Sequence, residues 1–214
     1  MRTLLAIDTS PSSDSASRSL VDHFVTHYTT TNPGTTVVHR NIGTAPLAHL
    51  DDELINGLRK QPDVLTARQQ SARDDSDAMV AEMAAADAIV IGAPMHNFTI
   101  TSAFRTWIDH IARPGVTFGY DPETGPKGLL ADKPVYVIST RGGKYGEADA
   151  ANPHPADFQS DYIRHIFKFI GITNVQFIAA NGMDMGNEPR AEGLEAAHLG
   201  IDAAIAHLKS QHAA

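Results

Sequence analysis

The chain has 214 residues, 42% of them hydrophobic, with 17 basic and 25 acidic side chains for a net charge of −8, and no cysteine. That length suits one well-cored α/β domain over residues 1–214 better than two small ones, and an acidic balance without a basic stripe argues against a nucleic-acid partner. Lacking cysteine, the chain has no disulfide, thiolate metal site or cysteine nucleophile; with no apolar run long enough to cross a bilayer, it reads as a cytoplasmic protein without a membrane partner.

Five segments read as strands: 3–9, 35–40, 87–93, 134–140 and 174–180. The first, third and fourth are nearly continuous apolar runs, the pattern of a parallel sheet covered on both faces. The second is shorter and more polar, which suits an edge. Helical patterns fill the gaps. Leu20, Phe24 and Tyr28 recur at spacing four, and 66–86 turns from polar to alanine- and methionine-rich. Phe104, Trp107, Ile108 and Ile111 form a buried helical stripe, and Ile163, Ile166, Phe167 and Ile170 repeat that spacing before a stop at Gly171. A last helix covers about 188–209, with Leu194, Ile201, Ile205 and Leu208 inward. Strand and helix thus alternate, predicting a doubly wound parallel sheet with right-handed crossovers and helices on both faces. Two connections are long: 41–65, with a short helix near 51–59, and the glycine- and proline-rich 113–132. Long connections in compact domains often form ligand walls or partner surfaces.

Ligands of such a sheet bind beyond the carboxyl ends of the strands, at the switch in strand order. Three unusual segments fall there. After the first strand, Ser10, Ser15 and Ser17 hydroxyls with the N–H groups of Ala16 and Ser17 can hold a phosphate at a helix start, or the segment is a flexible loop with a serine cap. The dinucleotide fingerprint is absent after this strand and Walker A is absent throughout, so a mononucleotide with one terminal phosphate fits best. After the third strand, Pro94 turns the chain off abruptly, and Met95, His96, Asn97 and Phe98 follow. Met95 and Phe98 supply flat apolar contact and Asn97 an amide, suiting one face and the rim of a flavin; a packed β–α turn is the plain alternative. After the fourth strand, the N–H groups of Gly142 and Gly143, with Thr140 and beside Arg141, can meet the edge of a ring where negative charge collects on reduction.

Other motifs are missing. His96, His110, His154 and His165 show no metal-ligand spacing, no H-E-x-x-H occurs and no metal is expected. There is no G-x-S-x-G elbow, and the third strand ends in glycine and alanine where a phosphoacceptor aspartate would stand.

Taken in order, Ser10 with Ser15-Ala16-Ser17, Ala93 through Phe98 and Thr140-Arg141-Gly142-Gly143 resemble the FMN-dependent NADH azoreductases, relatives of the flavodoxin-like quinone reductases. The resemblance continues through Ala112–Phe118, Gly125–Leu129 and Phe169–Ile172 and covers nearly the whole chain. It implies a flavodoxin-like sheet of order 2-1-3-4-5 and one noncovalent FMN per subunit. The phosphate would sit at Ser10 and residues 15–17, and the ring between Pro94–Phe98 and Thr140–Gly143. It further implies NADH as electron donor and a homodimer in which 41–65 and 113–132 form partner surface and Gly115, Phe118 and Tyr120 line the substrate pocket. His96 stands where this family usually carries tyrosine.

The chemistry so implied is ping-pong hydride transfer through the flavin N5, from NADH to quinones or azo compounds, with no side chain needed as catalytic acid or base. Two other classes stay open at this point. A one-electron flavodoxin-type carrier would bind FMN without consuming NADH, and a ligand-free structural domain would refuse it.

Overall fold

The computed structural model describes residues 2–60, 63–146 and 154–212. Along them run β1 (Thr3–Asp8), α1 (Ala16–Thr31), β2 (Thr36–Asn41), α2 (Asp52–Ile55) with a π-helical turn at Asn56–Lys60, α3 (Ala67–Ala85) and β3 (Ala88–Pro94). There follow α4 (Ser102–Ile111), β4 (Phe118–Asp121), β5 (Gly125–Gly128), β6 (Val135–Thr140), α5 (Phe158–Ile170), β7 (Val175–Ala180) and α6 (Asn187–His212).

The five strands expected from apolar runs are β1, β2, β3, β6 and β7, and they form one parallel sheet of order β2-β1-β3-β6-β7. Numbered among themselves this is 2-1-3-4-5, with the polar second strand at one edge. Successive residues of a strand point to opposite faces, so one strand feeds two cores. Leu5, Ile7, Ile89, Ile91, Val135 and Val137 pack under α3, α4 and α5 with Met79, Met83, Phe104, Trp107, Ile163 and Phe167. Leu4, Ala6, Ala88, Val90, Tyr136 and Ile138 face α1 and α6 with Leu20, Phe24, Tyr28, Ala197, Ile201 and Ile205.

Helix ends are closed by named groups. Thr66 and Gln69 form a capping box at the start of α3, and Lys133 Nζ donates to the carbonyls of Met83, Ala84 and Ala86 at its end (2.7, 3.0 and 2.6 Å). Burial there pulls the Lys133 pKa below the ordinary lysine value. Gly171 ends α5 with φ 110°, a left-handed conformation that glycine adopts without strain.

The 113–132 connection carries structure that no apolar pattern announces. β4 and β5 pair antiparallel, Phe118 opposite Gly128, as a separate two-stranded ribbon. Phe118 stacks at a tilt on Phe169 of α5, centroids 4.5 Å apart, and Leu130 N–H donates to the Ile170 carbonyl at 3.0 Å. The ribbon is therefore pinned to the end of α5.

Candidate active site

The loop after β1 is organised by its own hydrogen bonds. Asp8 Oδ1 accepts from Ser10 N–H (3.1 Å), and Asp8 Oδ2 pairs with Arg18 Nε. The same guanidinium donates to the carbonyls of Ser13 (3.2 Å) and Ser10 (3.3 Å), so one side chain of α1 holds both ends of the serine loop. Ser15 caps α1, its Oγ accepting from Arg18 N–H at 3.2 Å and lying 3.0 Å from Ser17 Oγ. Helix geometry leaves the N–H groups of Ala16 and Ser17 without intrahelical partners, facing the direction from which an anion would approach. The Ser17 side chain is buried, with its hydroxyl turned to Ser15 Oγ. Beneath the loop lies Gly43; a Cβ there would collide with the Ser10 backbone.

The segment after β3 is a tight reversal. Met95 N–H donates to the Thr140 carbonyl (2.9 Å), and His96 and Thr99 exchange both backbone hydrogen bonds (2.9 and 3.0 Å). The two residues between them, Asn97 and Phe98, have φ of 47° and 69°. A two-residue reversal with both central φ values positive is the type I′ geometry that Asn-Gly ordinarily fills. Asn tolerates it; a phenylalanine there is strained, and Phe98 is also 50% exposed. Its ring meets Tyr145 edge-on at 6.4 Å. Past the turn, Thr101 caps α4 and donates its hydroxyl to the Thr9 carbonyl at 3.0 Å, tying the reversal to the end of β1.

The segment after β6 differs from the simplest reading of its sequence. Arg141 is fully buried. Its Nε donates to Ser139 Oγ (2.9 Å), and its Nη2 donates to Ser160 Oγ (2.9 Å) and pairs with Asp157 Oδ2 (2.9 Å). Asp157 caps α5, accepting from Ser160 N–H at 3.0 Å. Burial lowers the Arg141 pKa from its ordinary value, and the Asp157 carboxylate opposes the fall. Gln159 extends the network, bonding Ser139 Oγ and donating to the Ala93 carbonyl at 3.1 Å. The guanidinium therefore clamps the end of β6 to the start of α5, and Gln159 ties the end of β3 to the same helix. Arg141 N–H is likewise engaged, donating to the Ala180 carbonyl at 2.9 Å. The carbonyls of Arg141, Gly142 and Gly143 accept from Met183, Asp184 and Gly182. The N–H groups of Gly142 and Gly143 have no acceptor among the described residues.

These three segments border one cleft of about 290 Å³. Of the residues expected from sequence, Ser10, Ser15, Ala16, Pro94, Met95, His96, Thr140, Arg141 and Gly142 line it; Ser17, Asn97, Phe98 and Gly143 stand behind or beside it. Ser12 and Asp14 of the serine loop, Met183 and Asp184 from the connection after β7, and Arg190 from the first turn of α6 complete the wall and were not among the sequence candidates. The same rule that pointed to the other three strand ends, applied to the fifth, would have found Met183 and Asp184. A second hollow of about 460 Å³ opens on the other side of the reversal, bordered by His96, Asn97, Ile100 and Ser102, with Arg105 lying 5.6 Å over the Tyr162 ring. Gly115, Phe118 and Tyr120 line neither hollow, and Tyr120 is 77% exposed on the ribbon. Residues 147–153, within the substrate-side stretch 144–158, lie outside the described residues.

The donor set fits an FMN-like ligand. Hydroxyls and unpaired helix-start N–H groups suit a monoester phosphate, Met95, Pro94 and Met183 offer apolar contact, and the Gly142 N–H is available to a ring edge. A family profile described as flavodoxin-like fold matches residues 2–205. An FMN-dependent NADH:quinone oxidoreductase of Ralstonia nicotianae is 44% identical over 201 residues, covering 92% of this chain and 94% of the relative. A protein of the same description from Hyphomonas neptunium is 42% identical over 198 residues, covering 92% of each. Among solved structures, an FMN-dependent NADH-azoreductase of Bacillus anthracis in complex with FMN superposes with a TM-score of 0.84 at 26% identity, over 98% of this chain and all of that one. No helix among the described residues is long and apolar enough to cross a membrane. The chain belongs to the flavodoxin-like fold family, in the branch that holds the FMN-dependent NADH:quinone oxidoreductases.

Proposed function

We infer that this chain is an FMN-dependent NADH:quinone oxidoreductase that also reduces azo compounds. The observation that carries this reading is a single cleft where a capped helix start, the Pro94–His96 entry to a strained reversal and Gly142 meet at the carboxyl edge of the sheet. Ser10 and Ser15 hydroxyls with the Ala16 and Ser17 N–H groups hold the phosphate. Pro94, Met95 and the backbone of the 96–98 reversal support one side of the ring, and Thr140, Gly142 and Gly143 meet its rim. Arg141 acts as a positioning residue, holding the rim backbone through Ser139 and Asp157. Bound FMN supplies the chemistry, taking hydride from NADH and delivering it to the acceptor.

What the protein contributes is preorganisation. Its polar groups are held before the ligand arrives, so little reorganisation opposes binding or charge development. No side chain is assigned as acid or base. The chain forms one unit over residues 1–214, and two copies assemble as a homodimer. Exposed apolar side chains on the ribbon and next to the site support that assembly, namely Tyr120, Leu129, Phe98 and Phe158. Gly115, Phe118 and Tyr120 then reach the substrate pocket of the partner. A cytoplasmic setting suits a chain without cysteine.

The test is an anaerobic titration of the FMN-loaded protein with NADH, followed by a quinone. Bleaching of the flavin absorbance by NADH and its recovery on quinone addition is the expected result. A flavin-loaded protein that consumes no NADH is an electron carrier, and one that takes up no FMN overturns the reading altogether.

A further inference from the structure

On the face of the sheet covered by α1 and α6, away from the cleft, three metal-ligating side chains converge with a fourth, His198, beside them. Each helix contributes a pair spaced by four residues, His23 with His27 on α1 and His198 with Asp202 on α6. Residues four apart share a helix face, so where the two helices pack, the pairs face one another. His27 Nδ1 lies 3.1 Å and His23 Nε2 3.5 Å from the same Asp202 oxygen, and one donor atom from each of these three residues lies within 4.8 Å of the others. The His198 ring stands edge-on to His23, centroids 4.4 Å apart, and His23 stacks on His27 at 4.8 Å.

The two distances to Asp202 are those of a coordination shell, and the two imidazole nitrogens stand within 4.8 Å of each other, close enough for side-chain adjustment to bring them onto one ion. With metal–nitrogen and metal–oxygen bonds of about 2.0–2.1 Å, the donor atoms of a tetrahedral zinc site lie roughly 3.3 Å apart. Ordinary hydrogen bonding accounts for the cluster only in part. His27 Nδ1 is within hydrogen-bond distance of Asp202, but His23 Nε2 is shielded from solvent, and its approach to that carboxylate lacks hydrogen-bond geometry. A buried imidazole nitrogen aimed at an acceptor it does not bond is a group lacking its partner. Two imidazoles and one carboxylate, with the His198 ring beside His23 as the nearest fourth ligand, are the borderline donors that select zinc and its neighbours over magnesium or calcium.

We propose that His23, His27, His198 and Asp202 form a binding site for a single divalent transition-metal ion, Zn²⁺ by donor chemistry, which staples α6 to α1. The site is independent of the flavin cleft and of the redox reaction. Because α1 also carries the Ser15 cap, the staple holds the helix whose start borders the cleft.

The test uses the FMN-loaded protein. Calorimetric titration with ZnCl₂ and the visible spectrum with CoCl₂ should show one saturable site per chain, with the absorption of a tetrahedral cobalt complex. His27→Ala and Asp202→Ala replace side chains that are 46% and 48% exposed, so both variants should fold. Each should weaken Zn²⁺ binding by at least about tenfold, since losing a ligand costs no less than losing an outer-shell partner. Zn²⁺ should raise the unfolding temperature of the parent protein and not of either variant. Binding of equal strength in the parent and both variants, or the absence of any saturable binding, overturns the proposal.

Discussion

The two sides of the cleft reach their rigidity by opposite means. On the side proposed to hold the phosphate, the 10–18 segment is relaxed: a helix cap, an aspartate and an arginine hold its backbone locally and leave the helix-start N–H groups to a ligand. On the side proposed to face the ring, Asn97 and Phe98 occupy left-handed conformations, and the turn persists because its neighbours leave it no choice. Met95 is bonded to Thr140, His96 to Thr99, and Thr101 to the end of β1. Where the ligand group is a compact dianion, hydrogen-bond donors at a helix start suffice. Where it is a flat ring that must accept a second flat molecule, the protein spends stability to aim a loop.

The largest expected effect comes from the clamp behind the ring side. Arg141→Ala leaves the buried Asp157 carboxylate without its cation, a change that typically costs about 3–5 kcal/mol. Denaturant unfolding should show a loss of that order, with FMN retention failing together with stability. A loss below about 1 kcal/mol would mean the ring side does not depend on this clamp. The relaxed side is broken from below. Gly43→Ala places a methyl group into the Ser10 backbone, for which overpacking of about 1–3 kcal/mol is expected, and FMN affinity should fall while the 96–99 reversal is untouched. Ser15→Ala removes the cap of α1 and one candidate phosphate contact. The fold should lose about 1 kcal/mol and FMN affinity about tenfold, measured by thermal unfolding and flavin fluorescence. Loss of stability with unchanged affinity would restrict Ser15 to capping.

The contrast also explains what could be read in the sequence. The relaxed side is local: serines within a few residues of a strand end and an apolar helix stripe mark it without reference to the rest of the chain. The five sheet strands and the stripes of α4 and α5 are legible for a related reason, since burial on two faces leaves continuous apolar runs and burial on one leaves helical periodicity. The ribbon β4–β5 is not legible, because Phe118-Gly-Tyr-Asp is too short for its two aromatics to mark a period and Gly-Pro-Lys-Gly has no apolar side chain but proline; pairing with each other and docking on Phe169 create those strands. The direction of Arg141 is equally hidden. An arginine between a strand and two glycines suggests a ligand contact, whereas period-two alternation places it with Ser139 on a face that α5 covers. The His23–His27 and His198–Asp202 pairs have helical spacing in the sequence, but only the packing of α1 on α6 brings them together.

Phe98→Gly gives the smallest expected effect and separates the two sides most cleanly, because it should raise stability. A non-glycine residue in the left-handed region costs about 1–2 kcal/mol, while glycine adopts it freely at some cost in unfolded-chain entropy. Phe98 is half exposed and its described ring contact is with Tyr145, so its removal forfeits little packing. Unfolding should therefore shift upward by about 1 kcal/mol. If the strained ring exists to face the flavin and its acceptor, kcat/KM for the quinone should fall even as the fold gains. If both stability and turnover rise, the left-handed phenylalanine serves neither, and the aimed-loop account of the ring side fails. If stability falls, Phe98 contributes packing that the exposed position of its ring does not reveal, most simply across the proposed dimer interface. Repeating the measurement at dilutions that dissociate the subunits would then make the loss disappear.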